Sequence, residues 1–288
     1  MEWNLKSVDE VLLDLELTDY DDYLIDGIVS SSVTTILGDP YLGKTYLAID
    51  VARSLTTGEP FLGRPVNRQV DRVAFLCTDP GGNITVAQRV SKAGLDGRRV
   101  LTQQFYPPES WQEWQDAVGL FMRERVGAIV VDNTTDIAGD ANDPRDVKKV
   151  TDGLRLWSDN GATILNLHHR NKGGGYFGSS LWRKWTRAEL ELSGRPKTQD
   201  RRLQSIANDV EPLDLQLKFR YSESPAFTVV SERKIVRDPE TLDQNARVAA
   251  WLRTHPGLSQ REAASQMSRE FDFSVSQKRV SRVVQMGL

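Results

Sequence analysis

The chain has 288 residues, 39% hydrophobic and 27% charged, with a formal net charge of -3 at pH 7. That is the composition of a globular protein with room for one large core and a small accessory domain. No apolar run approaches a membrane span, the single cysteine, Cys77, excludes an internal disulfide framework, and so small a charge leaves any nucleic-acid affinity to local basic segments.

The chain begins Met-Glu-Trp-Asn-Leu-Lys, without the basic and apolar regions of a secretory signal, so a reducing cytoplasm and no membrane partner are expected. Residues 1–25 carry Asp9, Glu10, Asp14, Glu16, Asp19, Asp21 and Asp22 among leucines and tyrosines, which reads as an acidic arm packing on the core. From there to residue 170, apolar runs at 33–37, 73–77, 128–131 and 163–167 alternate with longer helical stretches. This rhythm predicts a mainly parallel sheet flanked by helices. After residue 185 short strands at 188–192, 202–207, 213–219 and 226–231 predict an antiparallel extension of that sheet.

Immediately after the first strand stand Gly38, Asp39, Pro40, Tyr41, Leu42, Gly43, Lys44 and Thr45, which fit the phosphate-loop pattern G-x-x-x-x-G-K-[ST] at every specified position. The glycines fall on a strand-to-helix turn, where backbone N–H groups can close around phosphate oxygens. Lys44 then supplies a point charge and the Thr45 hydroxyl a ligand for Mg. ATP and Mg are the cofactors this predicts. A loop of this kind requires an acid at the end of a later apolar strand, and Asp132 meets that requirement. The strand at 73–77 ends in Thr78-Asp79. Asp79 is a candidate for orienting the attacking water, and equally a turn residue in Asp-Pro-Gly-Gly.

His168 and His169 end the strand at 163–167 and lead into the glycine-rich basic loop 170–177, which reads as mobile. Adjacent strand residues point to opposite faces and no cysteine or third histidine is near, which argues against a metal pair. With Gly38 to Thr45, Asp79 and Asp132, the run Leu167-His168-His169-Arg170-Asn171-Lys172, then Gly178-Ser179-Ser180 and Arg187, resembles the RepA-like hexameric replicative helicases within the RecA-fold NTPases over roughly residues 25–232. The resemblance implies phosphate binding by Lys44 and Thr45, metal holding by Thr45 and Asp132, and γ-phosphate sensing by His169. It also implies an arginine, Arg187, that reaches a neighbouring subunit's nucleotide. It further implies that segments 135–149 and 170–177 line a DNA channel, which brings in Arg145, Lys148, Lys149, Arg170 and Lys172. The chain departs from the family at Thr78-Asp79, where relatives place a Glu, and at Phe177, where many carry an arginine.

Arg170, Lys172, Arg183, Lys184 and Arg187 are interleaved with Tyr176, Phe177, Trp182 and Trp185, a mixture suited to single-stranded nucleic acid. The i, i+3 spacing of the two tryptophans favours core packing over base stacking. Residues 234–242 read as a linker, and 243–288 as three helices, the second opened by the capping box Ser259-Gln-Arg-Glu262. Seven Arg or Lys against four Asp or Glu make this tail basic. A helix-turn-helix is expected there, with Lys278, Arg279 and Arg282 toward DNA and Val280, Val283 and Val284 inward. The whole reads as an acidic arm (1–25), a RecA-like α/β P-loop ATPase core (26–233), and a helix-turn-helix (243–288). The expected activity is that of a ring-forming DNA helicase, with a hexamer as the favoured assembly, acting on single strands, with duplex contact through the tail. A nucleotide-switched DNA-binding adaptor or a strand-pairing recombinase are the other readings.

Overall fold

The computed structural model describes residues 5–17, 21–171, 173–207, 210, 212–221, 225–233, 239–271 and 273–285. They divide into two compact units, Met1–Lys234 and Ile235–Leu288.

The first unit opens with α1 (Val8–Leu17), β1 (Tyr23–Ile25), β2 (Val29–Ser30), β3 (Val33–Gly38), α2 (Lys44–Thr57), β4 (Arg72–Cys77), α3 (Gly82–Lys92) and β5 (Val100–Gln104). It continues through α4 (Trp111–Arg123), β6 (Val126–Asp132), a 3-10 turn (Thr134–Asp136), α5 (Pro144–Asp159), β7 (Thr163–His169) and α6 (Leu181–Lys184). Four strands follow, β8 (Ala188–Gly194), β9 (Asp200–Ala207), β10 (Asp214–Arg220) and β11 (Ala226–Glu232). The large sheet runs β11-β10-β9-β8-β3-β7-β6-β4-β5. From β8 to β5 every pairing is parallel, and β9, β10 and β11 extend the β8 side antiparallel.

Both faces of the parallel part are covered, which is why its central strands β3, β4, β6 and β7 are mainly apolar runs rather than alternating ones. Along β6, Ala128 and Val130 join the core under α2 and α3, while Ile129 and Val131 join the one under α4 and α5. Trp114 of α4 and Trp157 of α5 meet edge to face at 5.2 Å in that second core. Trp182 is buried in it and Trp185 packs against it, the core role favoured by their spacing.

Two local expectations differ in this unit. Residues 5–13 are exposed rather than packed on the core. What the core takes up instead is the unbroken apolar run Tyr23-Leu24-Ile25, buried as β1 of a small hairpin with β2. The glycine-rich loop is tied by hydrogen bonds rather than loose: Asn171 N donates to Gly175 O at 2.8 Å, Asn171 Nδ2 to Tyr176 O at 2.8 Å, and Tyr176 is buried.

The second unit holds α7 (Pro239–Thr254), α8 (Gln260–Glu270) and α9 (Gln277–Gln285). Proline suits a first helical position, having no N–H to leave unpaired, and α7 therefore begins within the stretch expected as linker. The capping box at Ser259 and Glu262 is formed. Val248, Trp251, Ala263, Met267, Val275, Val280 and Val283 make the core. Val284, expected inward, is 53% exposed because it lies at the margin of the apolar stripe in the last turn.

Candidate active site

The carboxyl ends of the parallel strands come level at one edge of the sheet. Gly38 pairs with His169 and with Leu192, Asp132 with Leu167, and Cys77 with Asp132. This is the edge at which open α/β sheets bind ligands. A cleft of about 830 Å³ opens there, lined by Pro40, Tyr41, Gly43, Lys44, Thr45, Asp79, Asp132 and His169 among others.

Close packing shapes the loop. A Cβ on Gly38 would stand 2.6 Å from the Leu192 carbonyl oxygen, so only glycine lets β3 and β8 end side by side. Leu42 turns into the core and Asp39 contributes its carbonyl. Lys44 is buried, its Nζ 2.8 Å from Gly38 O, 3.1 Å from Asp39 O and 3.3 Å from His169 Nδ1. Burial draws its pKa down to about 8, against the pull of Asp132 and Asp39. Thr45 Oγ1 donates to Asp132 Oδ2 at 2.7 Å. Burial pushes the Asp132 carboxyl above its usual range, and the Thr45 hydrogen bond opposes it.

A hydroxyl and a carboxylate in contact are the hard oxygen donors that suit Mg, which ordinarily takes its remaining ligands from water and substrate phosphate. Thr45 and Asp132 therefore fit that ion, and the ion would neutralise phosphate charge when bound.

Asp79 stands exposed on the cleft wall. Its neighbour Thr78 faces inward, where Oγ1 accepts from Asn133 N at 2.9 Å and donates toward the Asp132 and Asn133 carbonyls at 3.2 Å. Arg187 is elsewhere. It is exposed, its N donates to Val33 O at 2.9 Å, and it precedes the start of β8. Leu192, which pairs with Gly38, lies five residues further along, so at ~3.3 Å per residue about 17 Å of strand separates Arg187 from its own phosphate loop.

The basic residues expected to meet DNA have carboxylate or amide partners. Arg145 pairs with Asp143 at 2.9 Å, Lys148 with Asp152 at 2.6 Å, Lys149 with Asp146 at 3.6 Å, and the part-buried Arg170 with Glu191 at 3.0 Å. In the second unit Arg279 donates to Gln244 Oε1 at 2.9 Å and lies 5.5 Å over the Phe273 ring. Lys172 and the side chains of Lys278 and Arg282 lie outside the described residues.

Two residues of the cleft, and one that supports its loop from behind, escaped the sequence reading. Arg89 of α3 reaches the cleft, its guanidinium 4.9 Å over the Tyr46 ring. Asp136 lines the same wall, its Oδ2 accepting from Asn133 Nδ2 at 2.8 Å. Arg201, 1% exposed, donates from Nε to Leu42 O at 2.9 Å and from one terminal nitrogen to the carbonyls of Arg195, Thr198 and Asp200. It braces the phosphate loop against the turn between β8 and β9. Only Arg89 carried a sequence signal, its place one helix beyond the Thr78-Asp79 strand end.

A parallel sheet with a lysine-bearing loop, a hydroxyl and a strand-end carboxylate gathered at its carboxyl edge defines a P-loop ATPase-like domain. A family model described as an AAA domain matches residues 3–175, more than half of the chain, and the chain belongs to that family. No curated protein matches it. Among the described residues no helix is long and apolar enough to cross a membrane.

Proposed function

We propose that this ATPase works as a ring-forming DNA motor of the RepA-like helicase type, with each ATP site completed by a neighbouring copy. The observation that carries the reading is the position of Arg187: exposed, and a full strand length from its own phosphate loop. An arginine so placed serves a second subunit's nucleotide or none. In this scheme Lys44 and the loop amides hold the phosphates, and Thr45 with Asp132 hold Mg. Asp79 orients the attacking water, His169 faces the terminal phosphate beside Lys44, and Arg187 of the adjacent copy stabilises the charge that develops on the transferred group. Single-stranded DNA is the partner of the segments 135–149 and 170–177. The pairs formed by Arg145, Lys148 and Lys149 are exposed and weak enough for phosphate to displace. The C-terminal unit is read as a helix-turn-helix that adds duplex contact, and a hexamer is the favoured assembly.

ATP turnover measured with and without single-stranded DNA tests the motor. Stimulation by DNA, together with strand displacement, is the expected result, and turnover indifferent to DNA sinks it. Stimulation without displacement favours a recombinase. One observation favours a second reading, a nucleotide-switched DNA-binding adaptor: the strand end that relatives furnish with Glu here offers Thr78, committed to the backbone of β6, and the shorter Asp79. Tight ATP binding with negligible turnover in any DNA would establish that reading.

A further inference from the structure

Two segments that leave different strands meet on one buried ring. His168, at the end of β7, is 1% exposed. Its Nε2 lies 2.9 Å from the Phe177 carbonyl oxygen and its Nδ1 2.9 Å from Thr134 Oγ1. A carbonyl only accepts, so Nε2 carries the ring proton and donates it, and Nδ1 accepts from the threonine hydroxyl. Burial lowers the ring's pKa to about 4 against the opposing Phe177 hydrogen bond, so at neutral pH the ring stays neutral and keeps this tautomer. Tyr176 and Trp182 hold it in place, with ring centroids at 5.0 and 5.3 Å.

A second junction runs beside the first. Ser179 N donates to Ala141 O at 2.8 Å. Gly178 stands at φ 88, where a Cβ would overlap the Ala141 carbonyl oxygen. The segment after β6 and the segment after β7 are thus bonded at two points.

Both junctions are one step from the cleft, by separate routes. Thr134 follows Asp132 by two residues, and Asp132 accepts from Thr45. His169, next to His168 and on the opposite face, stands 3.3 Å from Lys44, and its carbonyl accepts from Phe177 N at 3.0 Å. We propose that His168 is a positioning residue that joins segments 134–143 and 170–179 into a single moving part, so that phosphate arriving at Lys44 and Thr45 shifts both together. The proposal rests on the nucleotide-binding half of the function above and is independent of what the segments grip.

Hydrogen–deuterium exchange of the full chain, with and without Mg·AMP-PNP, tests it. In the wild type the nucleotide should change exchange in both segments, by at least ~threefold. His168→Phe keeps a ring for Tyr176 and Trp182 to pack on and removes both hydrogen bonds. It should bind Mg·AMP-PNP within about threefold of wild type and keep the response in 134–143, yet show a markedly smaller one in 170–179, where only the bonds of Phe177 N to His169 O and Ser179 N to Ala141 O remain to carry it. A purely structural role would loosen the segments equally with and without nucleotide, leaving the nucleotide-dependent difference unchanged, and that result overturns the proposal. Thr134→Val, nearly the same shape, removes the bond to Nδ1 together with the hydroxyl's contact with the Leu167 carbonyl at 3.2 Å, leaves the Nε2 side intact, and should weaken the shared response; a wild-type response in this variant also overturns it. Binding of Mg·AMP-PNP with no response of either segment in the wild type overturns the proposal and leaves the ATPase reading standing. Absence of binding removes both.

Discussion

Lys44 and His169 face each other across 3.3 Å, Nζ to Nδ1, on the floor of the cleft. Burial first and the lysine's charge second lower the His169 pKa, so the ring is neutral at pH 7 and Nδ1 accepts from the ammonium. The ring proton then resides on Nε2, as a donor for a phosphate oxygen. Apart from Asp39 and Gly38, whose carbonyls it also touches, Lys44 has no stronger claim on it than an arriving nucleotide.

Lys44→Ala should weaken ATP binding about ten- to a hundredfold, since a hydrogen bond from a charged donor contributes on the order of 1.5 to 3 kcal/mol. Isothermal titration measures this. An unchanged affinity would remove the phosphate-loop assignment.

Nucleotide binding should take up protons near pH 8. Lys44 has a folded pKa of about 8 against an unfolded 10.5, and phosphate raises the folded value again, so on the order of half a proton is absorbed at pH 8 and almost none at pH 6. Binding enthalpies in buffers of different ionisation enthalpy read this directly. For the free protein the sign is set by the same shift: between pH 8 and 10.5 the unfolded chain holds more protons, so this residue's contribution to stability rises with pH across that window.

Arg187→Ala should leave ATP affinity nearly intact and reduce turnover by about 10³-fold or more, the usual effect of losing an arginine donated across a boundary. Mixed with Lys44→Ala protein, it should regain part of its activity, because each inactive copy can complete the other's site. No recovery under conditions of demonstrated subunit exchange would leave Arg187 without that role.

Asp79→Asn should slow hydrolysis further with little change in affinity, a water-orienting carboxylate being needed within about 2.6 to 3.2 Å of its nucleophile. Thr78→Glu is the informative counterpart. It breaks the bonds to Asn133 and the Asp132 carbonyl, so it should destabilise the β6 edge and fail to accelerate turnover. A faster Thr78→Glu enzyme beside an unaffected Asp79→Asn would transfer the role to position 78.

Arg201→Met should cost about 1 to 3 kcal/mol in urea unfolding, because it leaves the buried Leu42 carbonyl without its charged donor. Nucleotide affinity should fall with it, through the loop that Leu42 anchors. A variant as stable as wild type would show that water replaces the guanidinium.

Much of the sheet was legible because β3, β4, β6 and β7 are apolar runs that give way to other residue types at Gly38, Thr78, Asp132 and His168. β5 was not, since Thr102, Gln103 and Gln104 give an edge strand with no apolar signature. In the cleft, Gly38 to Thr45 and Asp132 announced themselves by spacing. Arg201 and Asp136 could not, because their partners lie far off in sequence or depend on the turn after β6. The ion pairs of Arg145, Lys148 and Lys149 show the converse difficulty: a basic run reads as a binding face until its own carboxylates are placed two to four residues away.

The paired histidines owe their separate duties to the pleat of β7 alone. One ring is turned toward the phosphate lysine and the next toward the loops because successive side chains alternate. A single residue inserted within β7 would move His168 into the lysine-facing slot and present the inserted residue or Leu167 to Thr134 and Phe177, where neither hydrogen bond could form if that residue is apolar. Descendants of this sequence can therefore alter the strand only by pairs of residues if both duties are to survive.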